Sequence, residues 1–246
     1  MLHSSKIGIC SPALVGVLGG MGPQATVDFL NKLVANTPAN CDQEHVPVLI
    51  ASVPQIPDRT RAFKGLGESP LPTLIANARR LIAGGARIIV MPCNTAHLWF
   101  DALSTALPVP MMHIVDSAID AVTACSPPIR TVGLLATKAT LDSGLYVRRS
   151  GRAGHRIEWR LPTCFEVDNW IMPAIQEIKA GRSSNAAPLL KQAAEALISR
   201  GAGAILLGCT ELPLGFNANE MSVPVVDAGE SLARQTVAWY RSHHTL

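Results

Sequence analysis

Ile88-Ile-Val-Met-Pro-Cys93-Asn-Thr-Ala-His97 and Ala204-Ile-Leu-Leu-Gly-Cys209-Thr-Glu-Leu-Pro213 are two versions of one pattern. Each is an apolar run that reads as a buried strand. Each run breaks at Pro or Gly, then presents a cysteine, a hydroxyl residue and the expected start of a helix. A thiol so placed lies at the carboxyl end of a strand, where α/β proteins bind their ligands.

The surrounding sequence repeats at nearly the same offset. Cys93 and Cys209 are 116 positions apart, as are Leu81-Ile-Ala-Gly-Gly85-Ala86 and Leu197-Ile-Ser-Arg-Gly201-Ala202. Val15-Gly-Val-Leu18 returns as Val132-Gly-Leu-Leu135, with Gly16 shifted by 117 to Gly133, and Val109-Pro110 returns as Val223-Pro224 after 114. Gly-ended helices followed by aliphatic strands are common to all parallel α/β units, so the strands alone prove little. A cysteine at the same register in both halves favours an internal duplication. The expected fold class is therefore α/β, with two similar lobes, each a mostly parallel sheet flanked by helices, and an active site in the cleft between them. The first lobe is expected over residues 1–112, completed by a C-terminal helix at 227–246, and the second over residues 113–226.

Strand Val15–Leu18 runs into Gly19-Gly20-Met21-Gly22-Pro23, glycines for a tight strand-to-helix turn and a proline for the first helical turn. The helix continues through Phe29, Leu30, Leu33 and Val34 and stops before Pro38. A second strand, Val46–Val53, leads into Pro54-Gln-Ile-Pro-Asp58-Arg59-Thr60, a loop whose prolines exclude regular structure. Leu71, Leu74, Ile75, Ala78, Leu81 and Ile82 fall on one face of a helix ended by Gly84-Gly85. After Cys93 a helix is expected from Thr95 to Leu107, then a strand over Val109–Ile114 and a helix from Asp116. Gly19-Gly20-Met21-Gly22 does not contain the G-x-G-x-x-G dinucleotide fingerprint.

Composition narrows the function classes. The 246 residues are 48% hydrophobic and 16% charged, as in a globular chain, and with 4% aromatic residues the core must be built from Ala, Val, Ile and Leu. The net charge of +3 is scattered, with basic clusters no longer than pairs such as Arg79-Arg80 and Arg148-Arg149. That pattern offers no stripe for nucleic acid or a membrane surface. No apolar stretch approaches the roughly 20 residues of a membrane helix. Six cysteines without a CxxC pair make neither a disulfide scaffold nor a zinc or redox motif. They fit free thiols in a cytoplasmic protein. The run Ile7 to Val17 imitates a signal peptide, but Pro12 interrupts it and no small-residue cleavage site follows.

Two thiols facing each other across a cleft suit the inversion of a carbon bearing hydrogen. One base removes the proton from one face, and an acid returns a proton to the other. Cysteine serves both roles because an ordinary pKa of about 8.5 lets thiol and thiolate coexist near neutrality. A helix N-terminus after each cysteine is expected to favour the thiolate and to offer N–H groups to a substrate carboxylate. This chemistry calls for no cofactor and no metal. Arg59, among polar residues after a strand end, is the best anchor for an anionic substrate. His97 could orient Cys93 or serve structure alone. Glu211 could be a second carboxylate beside Cys209 or a helix cap.

Gly19-Gly-Met-Gly-Pro23, Pro54-Gln-Ile-Pro-Asp-Arg-Thr60, Met91-Pro-Cys-Asn-Thr-Ala-His97 and Gly208-Cys-Thr-Glu211 together resemble the aspartate/glutamate racemase family, most closely its aspartate racemase branch. The resemblance runs from about Val15 over nearly the whole chain. It implies a cofactor-independent, two-base racemase interconverting L- and D-aspartate, usually a homodimer. Cys93 and Cys209 match its paired catalytic cysteines. Arg59 and Lys179 match residues that meet the distal carboxylate of the substrate. Asn94, Thr95, Ala96 and Thr210 match positions that hold the α-carboxylate and amino group, and Met21, Thr60 and Thr137 complete the expected substrate-binding set. The glutamate racemase branch fits less well, since it opens with an Asp-Ser-Gly turn and carries histidine where this chain has Glu211. The segment 1–14 ahead of the first strand departs from the family pattern, and Ile7-Gly8-Ile9 hints at an added strand.

Several alternatives share these residues. A glutamate or broad-specificity racemase uses the same two cysteines, and a maleate isomerase of the same superfamily uses a thiol as nucleophile. Arylmalonate decarboxylases generally keep one cysteine, so the pair argues against that reaction. A two-lobed dicarboxylate-binding protein without turnover, or a Cys93–Cys209 disulfide switch, are readings from other classes.

Overall fold

The structure is a computed structural model describing residues 13–243. The strand hinted at by Ile7-Gly8-Ile9, and Cys10 beside it, lie outside the described residues. Strands β1 (Leu14–Gly19), β2 (Val48–Ser52) and β3 (Ala86–Val90) form one parallel sheet in the order β2-β1-β3. Strands β4 (Thr131–Leu135), β5 (Glu158–Arg160), β6 (Ala204–Leu207) and β7 (Val225–Asp227) form a second, also parallel, in the order β5-β4-β6-β7. The order of the first three strands in each half is the same. Each β3 or β6 leads to a cysteine.

The repeat extends to side-chain packing. Gly16 on β1 pairs with Ile89 on β3, and Gly133 on β4 pairs with Ile205 on β6. A Cβ at Gly16 would meet Ile89 Cδ1 at 2.6 Å and Leu81 Cβ at 3.2 Å; one at Gly133 would meet Ile205 Cδ1 at 2.8 Å and Leu197 Cβ at 3.0 Å. Both glycines let a covering helix, Leu71–Ala83 in the first half and Ser183–Ser199 in the second, lie close to its sheet. That explains why glycine interrupts two otherwise aliphatic strands.

The halves differ at their fourth strand. The expected strand Val109–Ile114 is reduced to a single bridge between Ile89 and Met111, and a helix begins at Ile114. In both halves the strand that leads to the cysteine donates to a proline carbonyl, Ile89 N to Pro110 O at 3.0 Å and Ile205 N to Pro224 O at 2.9 Å. After Pro224 the chain continues as β7. After Pro110 it pairs once more, Met112 N to Ile89 O, and then turns, because the His113 side chain accepts from Val115 N and caps the helix Ile114–Thr123. That helix therefore starts earlier than Asp116. The helix expected over Thr95–Leu107 is likewise split into a 3₁₀ segment, Thr95–Trp99, and a short α-helix, Phe100–Thr105.

The helix Pro23–Asn36 begins with Pro23 at its start, as the turn sequence requires. It packs against the C-terminal helix Ala228–His243, which also packs on Ile114–Thr123. Val15, Val17 and Ile88 of the first sheet join Val132, Leu134 and Leu206 of the second in one apolar cluster with those helices. Separate clusters fill the outer faces, under Leu71–Ala83 and under Met172–Lys179 with Ser183–Ser199. With helices on both sheets and a shared core between them, the loops after β1, β3, β4 and β6 converge on one cavity.

Candidate active site

Met21, Arg59, Thr60, Cys93, Asn94, Thr95, Thr137, Lys179, Cys209 and Thr210 line one chamber, along with Asp58 and Glu211. Every expected site residue is therefore gathered there except Ala96. The Ala96 side chain is buried in the core beneath, and what Ala96 offers is a backbone N–H directed at the Cys93 thiol. Asp58 was not expected. It caps the short helix Arg59–Phe63 by accepting from Arg61 N at 2.7 Å, and that cap fixes where Arg59 begins.

The two cysteine loops are bonded to each other and to the loop after β4. The Thr210 hydroxyl donates to the Pro92 carbonyl at 3.1 Å. Thr95 Oγ1 lies 2.8 Å from Thr137 Oγ1 and 3.2 Å from Thr140 Oγ1, and the last two are 2.9 Å apart. These three buried hydroxyls tie the start of the 3₁₀ segment to the start of Lys138–Asp142. Buried polar groups held this way keep a small site in one geometry.

His97 acts on the Cys93 backbone. Its Nδ1 donates to the Cys93 carbonyl at 2.8 Å, and its Nε2 accepts from Ile114 N at 3.1 Å. One nitrogen must donate and the other accept, so the ring is neutral. Burial lowers its pKa to about 4, consistent with that state.

Both thiols are free and buried. The expected α-helix N-terminus is absent at each: Cys93 precedes a 3₁₀ segment, and the loop after Cys209 reaches only the 3₁₀ turn Leu212–Leu214. Burial instead dominates and raises both thiols. For Cys93 the Arg59 charge, the Ala96 N–H and the Lys179 charge oppose that rise, while the Glu211 charge adds to it. For Cys209 burial is reinforced by Glu211, whose Oε2 accepts from the thiol at 3.1 Å. The two cysteines thus sit at matching places in the fold with unlike charge surroundings.

Of the two roles expected for Glu211, the structure shows the carboxylate beside Cys209 and no side-chain helix cap. Its Oε1 accepts from Gly22 N at 3.0 Å and lies 3.9 Å from Lys179 Nζ, so one buried side chain joins the loop after β1, the Cys209 thiol and the end of Met172–Lys179. Arg59 is also partly committed, its Nη1 donating to the Ile56 and Pro57 carbonyls at 3.1 Å each. The chamber between the thiols holds about 20 Å³. That is room for about one water. Asp58, Arg59, Lys179 and Glu211 line both this chamber and an outer cleft of about 530 Å³.

Fold and site together define a two-sheet α/β protein with one thiol from each half in a common chamber. The chain belongs to the Asp/Glu/Hydantoin racemase family, whose model matches residues 18–236. It is 30% identical to the aspartate racemase of Picrophilus torridus, with a TM-score of 0.82 over 92% of this chain and 94% of that one. It is 26% identical over 242 residues to the broad specificity amino-acid racemase RacX of Bacillus subtilis, covering 94% of this chain and 100% of the relative. A glutamate racemase from Francisella tularensis shares the fold at 19% identity, with a TM-score of 0.67 over 94% of this chain and 81% of that one.

Proposed function

We propose that the protein is a cofactor-independent amino-acid racemase, with aspartate as its first substrate, in which Cys93 and Cys209 act on opposite faces of Cα. One observation carries this reading: a duplicated fold delivers one thiol from each half to the same chamber. The likeness to the Picrophilus torridus aspartate racemase supports the substrate. Burial raises both thiols, but Arg59, Lys179 and the Ala96 N–H oppose the rise at Cys93, so Cys93 is the easier of the two to ionise and takes the role of base first. Cys209 is the acid, held protonated by burial and Glu211. The Cys93 thiolate takes the Cα proton, the electron pair left behind spreads into the α-carboxylate, and the Cys209 proton goes to the opposite face. The reverse reaction exchanges the roles.

Asn94, Thr95 and Thr210 line the chamber with the two thiols, where they would hold the α-carboxylate and amino group, and Arg59 and Lys179, which line both the chamber and the outer cleft, would meet a distal carboxylate. An amino acid exceeds a one-water chamber, so entry requires the Arg59 helix or the Lys179 helix end to move outward.

A second reading has its own support. Arg59 is partly satisfied by loop carbonyls and Lys179 is paired with Glu211, so the mouth is not purely cationic. It opens on a cleft large enough for side chains longer than aspartate, and RacX, named as broad in specificity, is similar over the whole chain. The test is a panel of L-amino acids followed by circular dichroism, with wild type, Cys93→Ala and Cys209→Ala. Two-base racemisation requires activity in the wild type and its loss in both variants. Turnover of aspartate well above lysine and leucine selects the first reading, and comparable turnover selects the second.

A further inference from the structure

The structure assigns a positioning role to Tyr146: its hydroxyl occupies the Asn94 side-chain oxygen and so fixes the amide with its Nδ2 donors left for a substrate carboxylate in the chamber. This rests on the racemase reading above. Tyr146 lies on the helix Leu145–Arg152, outside all the motifs that carry the family resemblance, and is 0% exposed. Its hydroxyl donates to Asn94 Oδ1 at 2.5 Å. Asn94 is 2% exposed and lines the chamber beside Cys93. Its Nδ2 has no hydrogen-bond partner.

A buried amide nitrogen left without a partner costs free energy, and such a group in a native site calls for an explanation. Rotating the amide would not remove the problem. With Nδ2 toward Tyr146, the tyrosine hydroxyl would lose its acceptor, and the chamber would be offered an oxygen in place of two N–H groups. The observed arrangement spends the acceptor on Tyr146 and keeps the donors for a ligand. Two N–H donors suit the oxygens of a bound carboxylate, an interaction present in the substrate complex as well as during proton transfer.

Tyr146 is itself held by both halves of the site. A Cβ at Gly208, the residue before Cys209, would lie 3.1 Å from Tyr146 Cε2, so the ring packs directly behind the second cysteine loop. Trp159 closes the far side at 5.7 Å in an edge-on arrangement. The ring therefore bears on the Cys209 loop while the hydroxyl sets a side chain of the Cys93 loop. A pure packing role would need only the ring.

The experiment uses the full chain carrying Cys93→Ser and Cys209→Ser, so that L-aspartate binds without turning over. Calorimetric Kd is measured in this parent, with Tyr146→Phe, with Asn94→Ala, and with both. Loss of the fixed amide is expected to raise Kd about 5- to 10-fold in Tyr146→Phe, and loss of the donors to raise it about 10- to 100-fold in Asn94→Ala. The double change is expected to match Asn94→Ala within about 2-fold, since the hydroxyl acts only through Asn94. In the active enzyme Tyr146→Phe should raise KM for both enantiomers more than it lowers kcat. Tyr146→Phe keeps the ring, and thermal unfolding checks that it folds. An unchanged Kd, or an equal Tyr146→Phe effect with and without Asn94, overturns the assignment. A wild-type enzyme that racemises aspartate while either result holds leaves the racemase reading standing; failure of the wild type to racemise any amino acid overturns that reading separately.

Discussion

Glu211→Gln removes a charge beside one thiol while keeping the shape of the side chain. The amide oxygen can still accept from Gly22 N, so the link to the loop after β1 survives. The charge it removes lies 3.1 Å from the Cys209 sulfur. Two like unit charges at that separation repel by about 1.3 kcal/mol at the dielectric of water and about 5 kcal/mol at an effective value near 20. Even the smaller figure is about one pH unit. The sign follows directly: a carboxylate disfavours a neighbouring thiolate, so neutralising it makes Cys209 easier to ionise, while burial still keeps the thiol above its ordinary range. The assay is kcat/KM against pH for each enantiomer of aspartate, followed by circular dichroism. In the direction where Cys209 donates, its ionisation forms the alkaline limb; in the other direction it forms the acid limb. Both limbs should move down by at least about one pH unit in Glu211→Gln. The limbs set by Cys93 should move less, since Glu211 makes no hydrogen bond to that thiol and Arg59 outweighs it there. A Cys209 limb that stays in place or moves up would refute the asymmetry.

Gly16→Ala and Gly133→Ala place a methyl group into matching steric sites, 2.6 Å and 2.8 Å from an isoleucine Cδ1. Each should cost about 1–3 kcal/mol by denaturant unfolding, and by similar amounts if the two halves are structural repeats. Gly151→Ala, in a helix with nothing within 4 Å of the new Cβ, is the control and should be neutral or stabilise by about 0.5 kcal/mol. Arg200 grips the buried Glu166 carboxylate with two bonds of 2.6 and 2.8 Å and holds its pKa below the usual range. A lowered folded-state pKa gives stability that is present above the unfolded value and lost as pH falls through the folded one. Glu166→Gln should therefore unfold more readily than wild type near pH 7, by about 1–2 kcal/mol, and the difference should shrink as pH drops below about 4.

Much of this architecture was legible because strand and helix periods are local. The aliphatic runs before Cys93 and Cys209, and the Gly84-Gly85 and Gly201 stops, mark elements regardless of their partners. The duplication was legible because four features keep one offset, and the strand orders match it. The failures are places where a histidine side chain, bonding to backbone a few residues away, overrides the apolar pattern. His113 caps a helix in the middle of an apparent strand, and His97 draws the chain into a tight 3₁₀ turn by binding the Cys93 carbonyl. The thiol environment was misjudged for a different reason. An N-terminal helix effect is a statement about neighbours in sequence, whereas burial and the Arg59 and Lys179 charges reach the thiols through the fold.

Site residues divide in the same way. Those on motif loops, such as Arg59, Asn94 and Thr210, could be named from the chain. Asp58 sits in the same motif as Arg59 and was passed over because a helix cap requires knowing that a helix starts there. Tyr146 lies 52 positions from Asn94, and no periodicity connects a helix-borne tyrosine to that amide. Glu211 showed its proximity to Cys209 in sequence, but its bond to Gly22 spans 189 positions.

The central claim is that two thiols serve opposite faces of one carbon. The direct measurement is the early time course of L-aspartate in deuterated water, with deuterium at Cα read by mass spectrometry in each separated enantiomer. A two-base site takes the proton with one thiol and delivers a solvent-derived one with the other. The D-aspartate first formed should carry deuterium at Cα, while the L-aspartate still present retains protium. Deuterium entering L-aspartate as fast as D-aspartate forms, or D-aspartate that keeps the original proton, would mean that one group serves both faces.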